Sequence, residues 1–344
     1  MTRIVPLLFC LTVSACNPNG TAADANAAGG ASGGDSNLPH VLYDRGDNQP
    51  KSLTTHGDML YWGEGTVEGE HVITRAKADG TSTPEKVGLS SGFDISTQLV
   101  AVSDDFVYWQ NDKRLVRVAI DGGEEEELPT NLQTSGGPVL VIGNDWVVAA
   151  SPSCRDISVV NARTKALRAL TIESELLGGV TALTSIDGMI FCSAGPTIWK
   201  VGVESGEMEI HWSTATPEMK VGQLGEIGGT LIFVLKKIGV FAWSSLQSLP
   251  SEAVEPTELG RLKARDFDFT PDAKDGVVFV AQYSILAPVE RFEVATSKRV
   301  KLEGEASLLG TLASDAKYLY WPERTVSFRP KPKNAIYRQL KPKP

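Results

Sequence analysis

Short apolar runs recur along the chain at near-constant spacing. They are Met59-Leu60-Tyr61-Trp62, Phe106-Val107-Tyr108-Trp109, Trp146-Val147-Val148-Ala149, Met189-Ile190-Phe191-Cys192, Leu231-Ile232-Phe233-Val234, Val277-Val278-Phe279-Val280 and Tyr318-Leu319-Tyr320-Trp321. Their last residues fall 47, 40, 43, 42, 46 and 41 positions apart. Almost every run follows a turn former, in the order HGD, SDD, GND, IDG, GGT, KDG and SDA. Short, β-branched and aromatic runs bounded by such residues are strands. A repeat in the low forties belongs either to propeller blades or to a helical solenoid. The solenoid would need apolar residues at three- and four-residue spacing over a dozen positions, and the chain lacks that pattern.

Each run has companions. A second apolar segment follows it, as in VITRAKADG, LVRVAIDGG and TIWKVGVESG, and another precedes it, as in QLVAVSD, PVLVIGN and DFDFTPD. A fourth comes after the Asp-Gly-type turn, as in PEKVGL, KALRALT and EMEIHWS. Four strands per repeat make one blade, so the chain is predicted to be all-β, a seven-bladed β-propeller over residues 39–344. The ends refine this. HVLYDRGDNQPKSLTTHGDMLYW resembles EKVGLSSGFDISTQLVAVSDDFVYW, so the chain enters at a fourth strand, near His40–Tyr43. The last copy stops after its third strand, near Ile336–Leu340. The N-terminal strand is therefore expected to complete the last blade, leaving the ring without a loose end.

Three copies carry Tyr-Trp, in YWGE, YWQN and YWPE, and one adds the Arg-Val and Asp-Gly-Gly of LVRVAIDGG. These resemble YWTD-type propeller repeats. The Thr-Asp of that family is replaced here by Gly-Glu, Gln-Asn and Pro-Glu, and its propellers usually have six blades. The aromatic column Tyr61, Tyr108, Phe191, Phe233, Phe279 and Tyr320 is read as packing between neighbouring sheets.

The chain has 344 residues, 42% hydrophobic and 22% charged, with a formal net charge of -9 and a pI of about 5.1. That excludes the basic footprint a nucleic-acid partner needs. No stretch of about 18 apolar residues is present to cross a membrane as a helix. The N-terminus, MTRIVPLLFCLTVSAC, has the three-part form of a secretory signal. Its end, Val13-Ser14-Ala15-Cys16, resembles a bacterial lipobox, which implies cleavage of residues 1–15 and acylation of Cys16. Residues 16–38 are small and polar and read as a flexible tether with a reach of about 25 Å. The lipid bilayer is then a partner through acylated Cys16, and the location is the bacterial cell envelope. Asn17 after the cysteine favours the outer membrane by resemblance to enterobacterial sorting rules.

Few residues carry chemistry. Export reaches an oxidising compartment, where Cys154 and Cys192 in adjacent copies are expected to form a disulfide. Asp266 and Asp268 alternate with Phe267 and Phe269, so both carboxylates share one side of a strand, and Glu226 occupies a similar segment one repeat earlier. Such oxygen ligands are a candidate calcium site at a central channel. Gly88-Leu89-Ser90-Ser91-Gly92 matches a nucleophile-elbow pattern but joins two strands, without the helix the elbow requires. The four histidines have no metal-type spacing. Glu124 to Glu127 read as a solvated hairpin edge, and the six cations of RPKPKNAIYRQLKPKP as edge protection. No catalytic residue and no cofactor motif emerges. The expected function is a binding or scaffold module for an envelope protein, a peptide or a glycan. The alternative is a propeller hydrolase or lyase with an acidic, calcium-binding channel.

Overall fold

The chain divides into two units, Met1–Ser32 and Gly33–Pro344. The computed structural model describes residues 38–90, 100–172, 182–216, 218–238, 243–262, 267–282, 288–303, 311–324 and 334–342, all in the second unit. Among them, twenty-eight strands build seven four-stranded antiparallel sheets. The first strand, β1 (His40–Asp44), joins the last sheet.

Blade 1 is β2 (Gln49–His56), β3 (Met59–Gly65), β4 (His71–Lys77) and β5 (Glu85–Ser90). Blade 2 is β6 (Val100–Val102), β7 (Phe106–Asn111), β8 (Arg114–Ala119) and β9 (Glu126–Leu128). Blade 3 is β10 (Val139–Ile142), β11 (Trp146–Ala150), β12 (Asp156–Asn161) and β13 (Leu167–Thr171). Blade 4 is β14 (Leu183–Ile186), β15 (Met189–Ala194), β16 (Thr197–Gly202) and β17 (Met208–Ser213). Blade 5 is β18 (Met219–Ile227), β19 (Thr230–Lys237), β20 (Trp243–Pro250) and β21 (Thr257–Leu262). Blade 6 is β22 (Phe267–Asp272), β23 (Val277–Gln282), β24 (Glu290–Glu293) and β25 (Arg299–Lys301). Blade 7 is β26 (Ala313–Ser314), β27 (Tyr318–Arg324) and β28 (Asn334–Leu340), with β1 as its outer strand. There His40 stands opposite Arg338 and Val41 opposite Tyr337.

The first strands of successive blades touch in a closed cycle, β2, β6, β10, β14, β18, β22, β26 and back to β2. This is the seven-bladed propeller, closed by pairing the two chain ends. Its second strands are apolar at nearly every position because both faces are covered by neighbouring blades. The column Tyr61, Tyr108, Phe191, Phe233, Phe279 and Tyr320 is buried throughout, each residue 2% exposed or less. The core is distributed rather than central. Seven clusters of buried apolar residues each sit on one seam between two adjacent blades. The seam from blade 7 to blade 1 packs Leu60 and Trp62 against Tyr43, Tyr320 and Ile336. A sheet buried on both faces has no stable existence alone, so each blade depends on its neighbours.

Polar side chains stitch the same seams. An arginine on the third strand reaches the next blade at a main-chain carbonyl before its outer turn. Arg338 donates to Ala78 O at 3.2 Å, Arg75 to Ile120 O, and Arg117 to Ala162 O at 2.6 Å. Arg168, on a fourth strand, does the same to Val203 O at 2.6 Å. Gln110 links blades 2 and 3. Its amide donates to Ala150 O at 2.9 Å, and its carbonyl accepts from Gly137 N. Two of the Tyr-Trp copies turn their glutamates inward. Glu64 is 2% exposed and accepts from Trp62 Nε1, Thr74 and both ends of the Arg45 fork. Glu323 accepts from Trp321 Nε1. The turns obey local rules. Gly228 and Gly229 have φ of 54° and 80°, the pair of left-handed conformations that a two-residue hairpin requires.

Candidate functional site

The first strand of every blade is the edge of its sheet, paired only on one side. Its other edge of main-chain N–H and C=O groups faces the axis, so the wall of the channel is intrinsically polar. A cavity of about 370 Å³ lies there, walled by residues on or just before β2, β10, β14, β18, β22 and β26. Hydroxyls contribute much of the lining, from Thr54, Thr55, Thr184, Ser185, Thr270 and Ser314. The charged lining residues are Asp268 and Glu226, both acidic.

Asp268 is 2% exposed. Its Oδ2 accepts the N–H of Leu312 in blade 7, which ties two inner strands together. Among the described residues no Lys or Arg forms an ion pair with it. Desolvation by burial raises its carboxyl to about 7, against the pull of the amides of Leu312 and Phe269 and the more distant charge of Lys236. Glu226 is half-buried, and its Oε1 accepts the N–H of Gly229 at 3.0 Å, capping the turn that leads to β19. Gln223 sits on the same strand, beside a register shift between Val221 and Leu224. Its side-chain oxygen is buried and makes no hydrogen bond among the described residues. Between blades 7 and 1, Thr311 Oγ1 bridges Leu53 N at 2.5 Å and Leu53 O at 3.0 Å.

The carboxylates singled out in the sequence meet this site only in part. Asp268 and Glu226 line one cavity, whereas Asp266 lies outside the described residues. Among the described residues no three His, Cys, Asp or Glu side chains stand together as a metal centre. Cys16, the signal segment and the tether up to Asn37 also lie outside them. Cys154 and Cys192 are joined as a disulfide across the seam of blades 3 and 4, with Cα atoms 6.7 Å apart and both residues fully buried. Gly88 to Ser90 lie in the outer strand β5, remote in the sheet order from the inner strands. Ser91 and Gly92 are outside the described residues.

Two readings change. Glu126 is not merely a solvated edge: it pairs with Arg117 at 2.6 Å and with Lys165, across the seam of blades 2 and 3. Of the C-terminal cations, Arg338 and Lys341 are held internally. Lys341, 9% exposed, pairs with Asp272 of blade 6 and donates to Asp315 O. The burial of Asp268, the orphan oxygen of Gln223 and the arginine clamps have no local signature, although the recurrence of Arg in ITRAKADG, LVRVAIDGG and AIYRQLKP marks the clamp positions.

No protein-family model matches the chain, and no curated protein matches it in sequence. Solved structures match in fold. A streptogramin B lyase superposes with a TM-score of 0.62 at 12% identity, over 88% of this chain and 97% of that one. Virginiamycin B lyase from Staphylococcus aureus gives 0.60 at 12% identity, over 87% and 97%. The extracellular domain of BT4673 from B. thetaiotaomicron gives 0.61 at 8% identity, over 88% of this chain and 39% of that one. At these identities the likeness is one of fold.

Proposed function

We propose that the protein is an envelope lipoprotein, anchored through acylated Cys16, whose propeller is a binding module for a protein, peptide or glycan that places a polar group in the channel. The observation that carries this reading is the axial cavity itself. It is walled by the inner edges of the first strands and by hydroxyl-bearing side chains, and its two carboxylates are each engaged by a main-chain amide. A polar, pre-formed recess with few committed charges suits recognition. The test is native mass spectrometry of the protein purified from its own membrane fraction. A bound species should be present on the parent protein and absent from a folded Ser185→Trp variant that fills the cavity. Equal occupancy of both would count against the channel. Fatty-acid labelling that survives Cys16→Ser would sink the anchor.

A second reading, a hydrolase or lyase, draws support from Asp268. A carboxyl that titrates near neutrality is placed to donate or accept a proton. Its calcium-dependent form needs Asp266 as a further ligand beside Asp268 and Glu226. A calcium titration that leaves the melting temperature unmoved would refute that form.

A further inference from the structure

We infer that the channel cavity takes a ligand bearing a primary ammonium group together with hydroxyls, of the amino-sugar class, with Asp268 and Glu226 as its anionic partners. The inference rests on the channel being the binding site, as proposed above, and adds the chemistry of what enters.

The charge on the cavity wall has one sign. Asp268 and Glu226 both line the cavity, and no Lys, Arg or His does so among the described residues. Among the described residues an anionic ligand would find like charge and no cationic side chain there. An ammonium offers three donors and no acceptor, whereas an ionised carboxylate is acceptor-only, with about four lone-pair sites. Glu226 Oε1 accepts one main-chain N–H and Asp268 Oδ2 accepts that of Leu312, so each carboxylate retains capacity. A carboxylate buried without an ion-pair partner is held in its charged form only at a penalty, and a cation beside it offsets that penalty. The hydroxyls of Thr54, Thr184, Ser185 and Thr270 then match a polyhydroxylated ring rather than an alkyl amine. The cavity volume lies within the range of small-ligand pockets.

The test is isothermal titration of the full chain at pH 8 with three matched probes: glucosamine, N-acetylglucosamine and glucuronate. Glucosamine should bind, N-acetylglucosamine at least tenfold more weakly, and glucuronate not at all. Asp268→Asn and Glu226→Gln should each weaken glucosamine at least fivefold and leave N-acetylglucosamine unchanged. The inference is overturned by N-acetylglucosamine or glucuronate binding as tightly as glucosamine. It is equally overturned by no binding of glucosamine, or by glucosamine binding undiminished in both variants. Ser185→Trp separates this failure from that of the channel reading. If it abolishes binding of the neutral sugar, the channel stands and only the charge preference falls. If bound sugar is insensitive to it, the channel reading falls as well.

Discussion

Replacing Asp268 by Asn should stabilise the protein, and by an amount that depends on pH. The parent carboxyl ordinarily titrates at 3.8 and in the fold titrates at about 7, chiefly because burial disfavours its charged form. Between those values the folded state holds a proton that the unfolded state has released. Stability therefore falls as pH rises through this window, by about 1.4 kcal/mol per pH unit, and is fully restored only below pH 4. Integrated across the window, ionising Asp268 costs the fold about 4 kcal/mol. The side chain is almost fully buried, so solvent screening reduces that figure little. Asn has the same shape and keeps an oxygen to accept the Leu312 N–H, but cannot ionise. Urea denaturation of parent and variant from pH 4 to pH 8 would read the difference. The two should be nearly equal at pH 4, diverge through neutrality, and differ by a few kcal/mol at pH 8 with the variant the more stable. A variant that is less stable at pH 8, or a difference that does not change with pH, would refute the reasoning.

Three further outcomes follow from the seams. Cys154 and Cys192 are 38 positions apart, and closing a loop of that length removes about 4 kcal/mol of unfolded-state entropy; the double Cys→Ala variant should lose about that much in denaturant, and an unchanged midpoint would show the bond to be idle. Arg338→Ala removes the donor to Ala78 O and the cation over the Tyr318 ring at 4.6 Å, just where blade 7 meets blade 1; a loss of about 2 kcal/mol is expected, with amide exchange quickened first in β1 and β28. Gly137 has no room for a methyl group, because a Cβ there would collide with the main-chain oxygen of Ala150; Gly137→Ala should cost about 3 kcal/mol, and a neutral effect in a thermal melt would mean that the approach to β10 packs less tightly on β11 than the structure has it.

The blades were legible because their signal is local. The run Phe106-Val107-Tyr108-Trp109 is apolar at every position, since β7 is covered on both faces, and turn formers bound it on either side. The closing strand was legible for a related reason. His40–Asp44 resembles the outer strand of another repeat, and a fourth strand without its own first three must borrow them. The acids were half legible. Alternation in DFDF predicts Asp266 and Asp268 on one side, and the position of β22 as an innermost strand directs Asp268 to the axis. Nothing local says that Asp268 sinks to 2% exposure under the amide of Leu312, which is 44 positions away.

What the sequence determined by itself is the repeat, and with it the blade count, the strand order and the closure of the ring. Each of these follows from periodicity and from turn chemistry within about forty residues. The tertiary structure alone decided which polar groups are buried, which are paired across seams, and which share the cavity. Glu64, Gln110, Arg117 and Asp268 find their partners on another strand or in the next blade. Their environments exist only once the sheets stand radially and the register shifts of β2 and β18 have set which side chains turn to the channel. Burial and hydrogen bonding are properties of that arrangement, and a linear pattern of apolar and polar positions does not contain them.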